Sequence, residues 1–307
     1  MEQTRRIDHQ PADPAQIRTY RLAGVVAICG NLLLLAAKAL VARESGSSAI
    51  YSDAANSASD VAHSLLMMAG LVLATRPPDA RHPHGHQRIE SLISLAIGML
   101  MVIAGYESVR AAITTLRSGA EPITSTWALG VLGFTAVVKG AMFWAISRMA
   151  RSASSPVLRA NAADNLSDLV SSAMALLGVL LSRAGWAAAD PIAGIAVGVW
   201  IVYAVWQVLR DSLGQLIGQA APDELSAEIE GAICGVEGVL ALERVIVEQV
   251  GPLFRADIHI FMEPDLTLRA IHRTSHAVRD AVEALPEVDH AFVHVEPSWY
   301  GTADDQG

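Results

Sequence analysis

The chain is short of what a water-soluble protein of its size uses to cover its surface. Only 17% of its 307 residues are charged and 5% are aromatic, while 52% are hydrophobic and the mean hydropathy is +0.37. So little polarity excludes intrinsic disorder. Two cysteines, Cys29 and Cys234, lie too far apart in sequence to suggest a disulfide scaffold. Basic residues number 22 against 31 acidic ones, a formal net charge of -9, which argues against a nucleic-acid partner. There is no Gly-x4-Gly-Lys phosphate cradle and no soluble segment large enough for ATP hydrolysis, so an ATP-driven pump, an enzyme or an organic cofactor is not expected. Met1 to Tyr20 is polar and lacks the apolar core of a cleavable signal, so insertion is expected to use the first hydrophobic segment itself. No internal repeat is evident.

What remains is distributed unevenly. Residues 219–307 hold 17 of the acidic residues and 5 of the basic ones, a balance of -12, whereas residues 1–218 balance at +3. The hydrophobicity lies in that first part. Six apolar stretches are long enough to span a bilayer, near Leu22–Val41, Ser48–Ala74, Ile89–Leu116, Ser125–Met149, Val157–Leu181 and Pro191–Leu213. Arg5, Arg6, Arg18, Arg21, Arg76, Arg81, Arg88, Arg148, Arg151, Arg159 and Arg210 flank these spans on one side, against Arg43, Arg117 and Arg183 on the other. The positive-inside rule then places both termini in the cytoplasm. The expected organisation is an N-terminal tail (1–20), a six-helix membrane domain (21–214), an acidic cytoplasmic domain (219–298) and a short tail (299–307).

The acidic domain reads as mixed α and β. Asp223 to Val236 and Leu266–Leu285 have helical periodicity, and Val239–Val250, Phe254–Met262 and His290–Val295 read as strands. The order αββαβ predicts a small open sheet with both helices on one face.

The acids inside the spans carry the chemistry. An aspartate at the centre of a spanning helix costs about 3 kcal/mol on insertion scales. Spans two and five hold four of them: Asp53, Asp60, Asp164 and Asp168. Asp164 and Asp168 are four residues apart and share a helix face, as do Asn56 and Asp60. If those faces meet, four oxygen-bearing side chains surround one point, and a divalent cation would relieve the repulsion among the carboxylates. The alternative is pairing with intramembrane bases, but the spans offer only Lys38 and Lys139 as lysines, too few to neutralise four aspartates. Asp53 fits the same face, the entrance, or a hydrogen bond to a neighbouring helix. His63, one turn past Asp60, fits a helix–helix hydrogen bond, or an extra ligand or proton acceptor.

Two further clusters lie outside the spans. The loop after span two carries Asp79, His82, His84 and His86, a carboxylate and imidazole set suited to zinc-like or manganese-like ions, or else a solvated histidine run. In the tail, His259 sits in a strand, His272 and His276 are one turn apart on a helix, and His294 and Glu296 share a strand face that can approach the other histidines.

Three segments, Ser-Asp-Ala-Ala-Asn-Ser-Ala-Ser-Asp from Ser52, His-Pro-His-Gly-His-Gln-Arg-Ile-Glu from His82 and Ala-Asp-Asn-Leu-Ser-Asp-Leu-Val-Ser-Ser from Ala163, resemble in order and spacing those of the cation diffusion facilitators. The resemblance spans nearly the whole chain after the N-terminal tail. It implies a homodimeric metal–proton antiporter with six transmembrane helices and a ferredoxin-like cytoplasmic domain, resident in the inner or plasma membrane. It implies a transport site at Asn56, Asp60, Asp164 and Asp168, a loop site at Asp79, His82 and His86, and a cytoplasmic site at Glu243, His259, His272, His294 and Glu296. Glu243 stands where well-studied members have histidine, and Glu296 where they have aspartate. The family's charge lock finds its base in Arg88, but its acid position falls on Gly218, so that interlock is expected to be missing. A transport set without histidine resembles the manganese-exporting branch. An all-oxygen site also suits Mn(II), which sheds water more readily than Mg(II), with Zn(II) or Fe(II) as alternative cargo and a non-transporting membrane-bound metal sensor as an alternative role.

Overall fold

The computed structural model describes residues 14–45, 48–118, 126–186 and 188–298. Residues 1–13, Ser125 and the tail from 299, all assigned above to elements or tails, lie outside the described residues. Two compact units emerge: a helical unit drawn from 12–76 and 89–213, and a second unit formed by 77–88 together with the chain from residue 214 onward.

Six long helices make up the first: α1 (Pro14–Ser45), α2 (Ser48–Ala74), α3 (Arg88–Ser118), α4 (Thr126–Ser152), α5 (Pro156–Arg183) and α6 (Ala189–Leu216). Each is long and apolar enough to cross a membrane. Helix α1 packs on α2 and α4, and α4 on α5. Ala23, Ala27, Met67, Ile97, Met142 and Ile201 are among the residues of the shared core. Small residues set the closest approach, as expected where lipid supplies no hydrophobic drive between helices. A Cβ at Gly198 would come within 2.1 Å of Val109 Cγ2, so α3 and α6 cross where only glycine fits. Large apolar side chains such as Leu33, Val137, Trp144, Val199 and Trp206 point outward. An apolar exterior of this extent is a lipid-facing one.

Polar ties join the helices. Ser155 caps α5, accepting from the Leu158 amide, and Pro156 occupies the first helical turn. The same Ser155 hydroxyl donates to Glu90 Oε2 at 2.5 Å, and Tyr20 donates to Glu90 Oε1 at 2.5 Å. The buried carboxylate of Glu90 thereby holds α1, α3 and α5 together.

In the second unit, α7 (Asp223–Cys234), β1 (Ala241–Val250), β2 (Leu253–Met262), α8 (Leu268–Glu283) and β3 (Val288–Pro297) follow in the predicted order. The sheet order is β1-β2-β3, with β1 antiparallel and β3 parallel to β2. Alternation sends Ala256, Ile258, Ile260 and Met262 to one face. There they pack with Leu225, Ile229 and Ile233 of α7 and Val278 and Val282 of α8. Both helices therefore cover one face in a ferredoxin-like arrangement, and Asp257, His259 and Phe261 lie on the other. Helix α8 starts two residues later than its periodicity suggests because Thr267 caps it, accepting from the Ala270 amide.

Ile258 is 1% exposed at the centre of this core. Ile258→Ala is expected to destabilise the second unit by about 2–5 kcal/mol, read as faster amide exchange in β1–β3 with the exchange of α1–α6 unchanged.

Candidate functional site

Helices α2 and α5 bring the intramembrane acids to neighbouring positions. Asp60 is 7% exposed and Asp164 9% exposed. Asn56, Asp60 and Asp168 line one cavity of about 100 Å³, together with Lys38, Thr135 and Lys139. Asp164 faces His63, whose Nδ1 lies 4.0 Å from Asp164 Oδ2, beyond hydrogen-bond reach. Among the described residues that buried nitrogen has no hydrogen-bond partner. Asp53 lies on α2, and its side chain is outside the described set.

The backbone beneath Asp60 is tied down. Its carbonyl accepts from Asn31 Nδ2 at 3.1 Å and from Ser64 Oγ at 2.9 Å, and Asn31 also donates to Ser64 Oγ at 2.8 Å. Hydrogen bonds between membrane helices are worth about 0.6 kcal/mol each on average. Here they fix α1 against α2 at the level of the carboxylate.

The count of intramembrane lysines understated one of them. Lys139 of α4 is 1% exposed. Its Nζ lies 3.0 Å from Asp60 Oδ2 and 2.6 Å from Asp168 Oδ2, bridging a carboxylate of α2 to one of α5. Part of the negative charge is thus balanced by a base. Residue spacing does not reveal this, because Lys139 is 79 residues from Asp60 in sequence.

The loop residues lie in the second unit. Asp79 Oδ1 accepts from the amides of Arg81 at 2.8 Å and His82 at 2.7 Å. This turn chemistry is typical of aspartate. Those backbone donors, His82 first, hold the Asp79 carboxyl below the usual carboxylate range. His82 Nδ1 lies 3.2 Å from Asp79 Oδ1 and His86 Nε2 3.5 Å from Asp79 Oδ2. One ligand atom from each of the three lies within 4.8 Å of the others, a spread that fits a single zinc-like ion. His84 contributes its backbone instead: its carbonyl accepts from Arg255 of β2 at 2.7 Å. Arg88, at the end of the loop, pairs with Glu248 of β1 at 3.1 Å. Gly218, at φ +82, brings no charge, and the acid missing from that position is supplied by Glu248. Both side chains of this pair are more than a third exposed, so it contributes no more than about 1 kcal/mol.

The third cluster lies on the uncovered face of the sheet. Parallel pairing sets His259 beside His294, with ring centroids 4.8 Å apart. Glu296 Oε1 lies 3.1 Å from His294 Nε2 and 3.8 Å from His259 Nδ1. A bulge between Leu242 and Arg244 adds one residue to β1 there and places Glu243 Oε2 3.5 Å from His259 Nδ1. Arg244, at 3.3 Å from His259 Nε2, brings a positive charge to the same group. His259, His294 and Glu296 together fit one ion. His272 does not join them within the chain. It sits exposed on α8, whose packing residues face the opposite side of the sheet, and its ring meets His276 at 4.1 Å.

With its carboxyl held low by the turn, Asp79 keeps its charge to lower pH than an unperturbed aspartate. Its contribution to the turn is present above the unfolded value and lost only as pH falls through the depressed one. Asp79→Asn keeps the acceptor for both amides and is expected to keep the loop protected from proteolysis at neutral pH while weakening metal binding. Asp79→Ala removes both, and limited proteolysis should then cut between residues 77 and 88.

Comparison with known proteins identifies the family. Residues 24–217 match the cation efflux transmembrane domain and residues 221–298 the cytoplasmic domain of cation efflux proteins. An uncharacterised transporter of Methanocaldococcus jannaschii is 30% identical over 272 residues, covering 89% of this chain and 96% of that one. Metal tolerance protein C1 of Arabidopsis thaliana is 30% identical over 288 residues, with 89% and 61% covered. Manganese efflux system protein MneP of Bacillus subtilis is 26% identical over 286 residues, with 90% and 96% covered. Six lipid-facing helices carrying buried carboxylates, with a small α+β domain after them, thus coincide with both family domains along the chain, which belongs to the cation efflux family, the cation diffusion facilitators: integral membrane transporters of metal ions, not enzymes.

Proposed function

We propose that this chain exports Mn(II) from the cytoplasm in exchange for protons. The observation that carries the reading is the donor set: Asn56, Asp60 and Asp168 meet at one cavity between α2 and α5, and every side-chain ligand among them is an oxygen. Oxygen donors favour Mn, Mg or Ca over zinc, and among these Mg(II) gives up its water reluctantly. The similarity to a manganese efflux protein of Bacillus subtilis, over nearly the full length, supports the same cargo. Zn(II) or Fe(II) is favoured instead if His63, 4.0 Å from Asp164, turns its nitrogen into the site.

In this reading the metal enters from the cytoplasm, is held by Asn56, Asp60, Asp164 and Asp168, and is released outward when the helices rock about the site. Protons and metal compete for the same carboxylates, because a carboxylate ligand must be deprotonated to bind metal. A proton gradient directed inward therefore drives the exchange. The protein works as a homodimer in the inner or plasma membrane, with both termini and residues 219–298 in the cytoplasm. Metal bound by His259, His294 and Glu296, with Glu243 beside them, and by Asp79, His82 and His86, favours one arrangement of the two cytoplasmic domains and so shifts the population toward the transporting state.

Mn(II) uptake into inverted membrane vesicles tests the assignment. Asp60→Ala is expected to abolish uptake, and wild-type uptake by this variant would sink the reading. A protein that only senses metal would show no uptake in any form. Asn56→His adds a nitrogen donor and should shift selectivity from Mn(II) toward Zn(II); unchanged selectivity counts against the oxygen-donor argument.

A further inference from the structure

The Lys139 bridge is not accounted for by a site built of oxygens alone. Lys139 Nζ donates an aligned hydrogen bond to Asp60 Oδ2 at 3.0 Å. Toward Asp168 Oδ2 it is closer still, at 2.6 Å. Both oxygens lie within reach of the one ammonium, so Lys139 holds the two carboxylates together. A divalent cation sits about 2.0–2.6 Å from its oxygen ligands. A cation drawing on the same two oxygens falls where the ammonium already lies. Two positive charges do not share that space.

We propose that Lys139 is a tethered competitor for the transported cation: metal binding at Asp60 and Asp168 requires its ammonium to leave, and metal release lets it return. This rests on the transport-site reading above. A lysine suits the role because its compact charge rides on a flexible four-carbon stem with three freely rotating donors. Thr135, Ser171 and Ser172 line the same cavity and offer hydroxyl oxygens to the displaced ammonium. Lys139 stays with the protein when the metal departs. The empty carrier thus moves between its two orientations with part of its carboxylate charge balanced by the ammonium and the rest by protons, which lowers the cost of bare carboxylates in the bilayer. The competitor also weakens metal affinity, since only the fraction of sites with the ammonium displaced can bind.

The test compares full-length wild type, Lys139→Met and Asp168→Asn. Equilibrium Mn(II) binding is measured on purified protein, and export in proteoliposomes. The binding step lost in Asp168→Asn identifies the transport site. Lys139→Met, of similar length but uncharged, is expected to tighten the Kd of that step by about tenfold or more and to lower the maximal export rate. A Kd unchanged or weakened in Lys139→Met, with the step still absent from Asp168→Asn, overturns this inference alone. A step that survives in Asp168→Asn overturns the transport-site reading and this inference with it. A second measurement needs no variant: acetic anhydride labelling of Lys139 in the wild type, followed by mass spectrometry. Labelling that rises with saturating Mn(II) supports displacement, and labelling that Mn(II) leaves unchanged overturns it.

Discussion

Negative charge cannot stand unbalanced in hydrocarbon, and much of this molecule follows from that constraint. Each carboxylate of α2 and α5 carries an insertion cost of about 3 kcal/mol, and a chain bears such costs only where the charge does something that a neutral side chain cannot. The answer visible in the helical unit is a bridge: Lys139 joins Asp60 to Asp168 and, through them, α4 to α2 and α5. The hydrogen bonds of Asn31 and Ser64 at the Asp60 carbonyl then hold the helix beneath the charge. Position is supplied by neutral groups, and the ionic groups are left free to exchange partners.

A second buried carboxylate is handled in the opposite way. Glu90 accepts from two hydroxyls, Tyr20 and Ser155, with one partner for each oxygen. Among the described residues no lysine pairs with that carboxylate. Both acids cross-link helices, but one is closed off by neutral donors while the other stays open to a cation. The contrast explains why burial alone does not mark a transport site.

Five of the six spans were legible to within three residues, because length and apolar content decide them; α1 instead begins at Pro14, eight residues before the first apolar stretch and inside the segment read as a tail. The pairing of Asn56 with Asp60 and of Asp164 with Asp168 was equally legible, since a spacing of four determines a shared face. The αββαβ order followed from the change of period from 3.6 to 2. What spacing could not show was which distant residues complete each cluster. Lys139 meets Asp60 across 79 positions, and Arg88 finds Glu248 across 160. The bulge in β1 that turns Glu243 toward His259 leaves no trace in the alternation of a strand exposed on one side. His272 matched a family position, yet α8 packs on the inner face of the sheet, so the chain does not bring it to His259 and His294.

The segment 77–88 belongs with the strands that follow residue 214, although the intervening sequence is almost entirely helical membrane domain. Arg255, 8% exposed, anchors to the His84 carbonyl, and a side chain at Gly251 would meet the Gln87 carbonyl at 2.9 Å. The folded boundary of the soluble part is therefore not a cut point in the chain. A fragment excised from residue 219 onward leaves a buried guanidinium without one of its acceptors and Glu248 without Arg88. The three loop residues Asp79, His82 and His86 would be missing from it as well, so metal affinities measured on such a fragment leave out one of the two clusters of this unit.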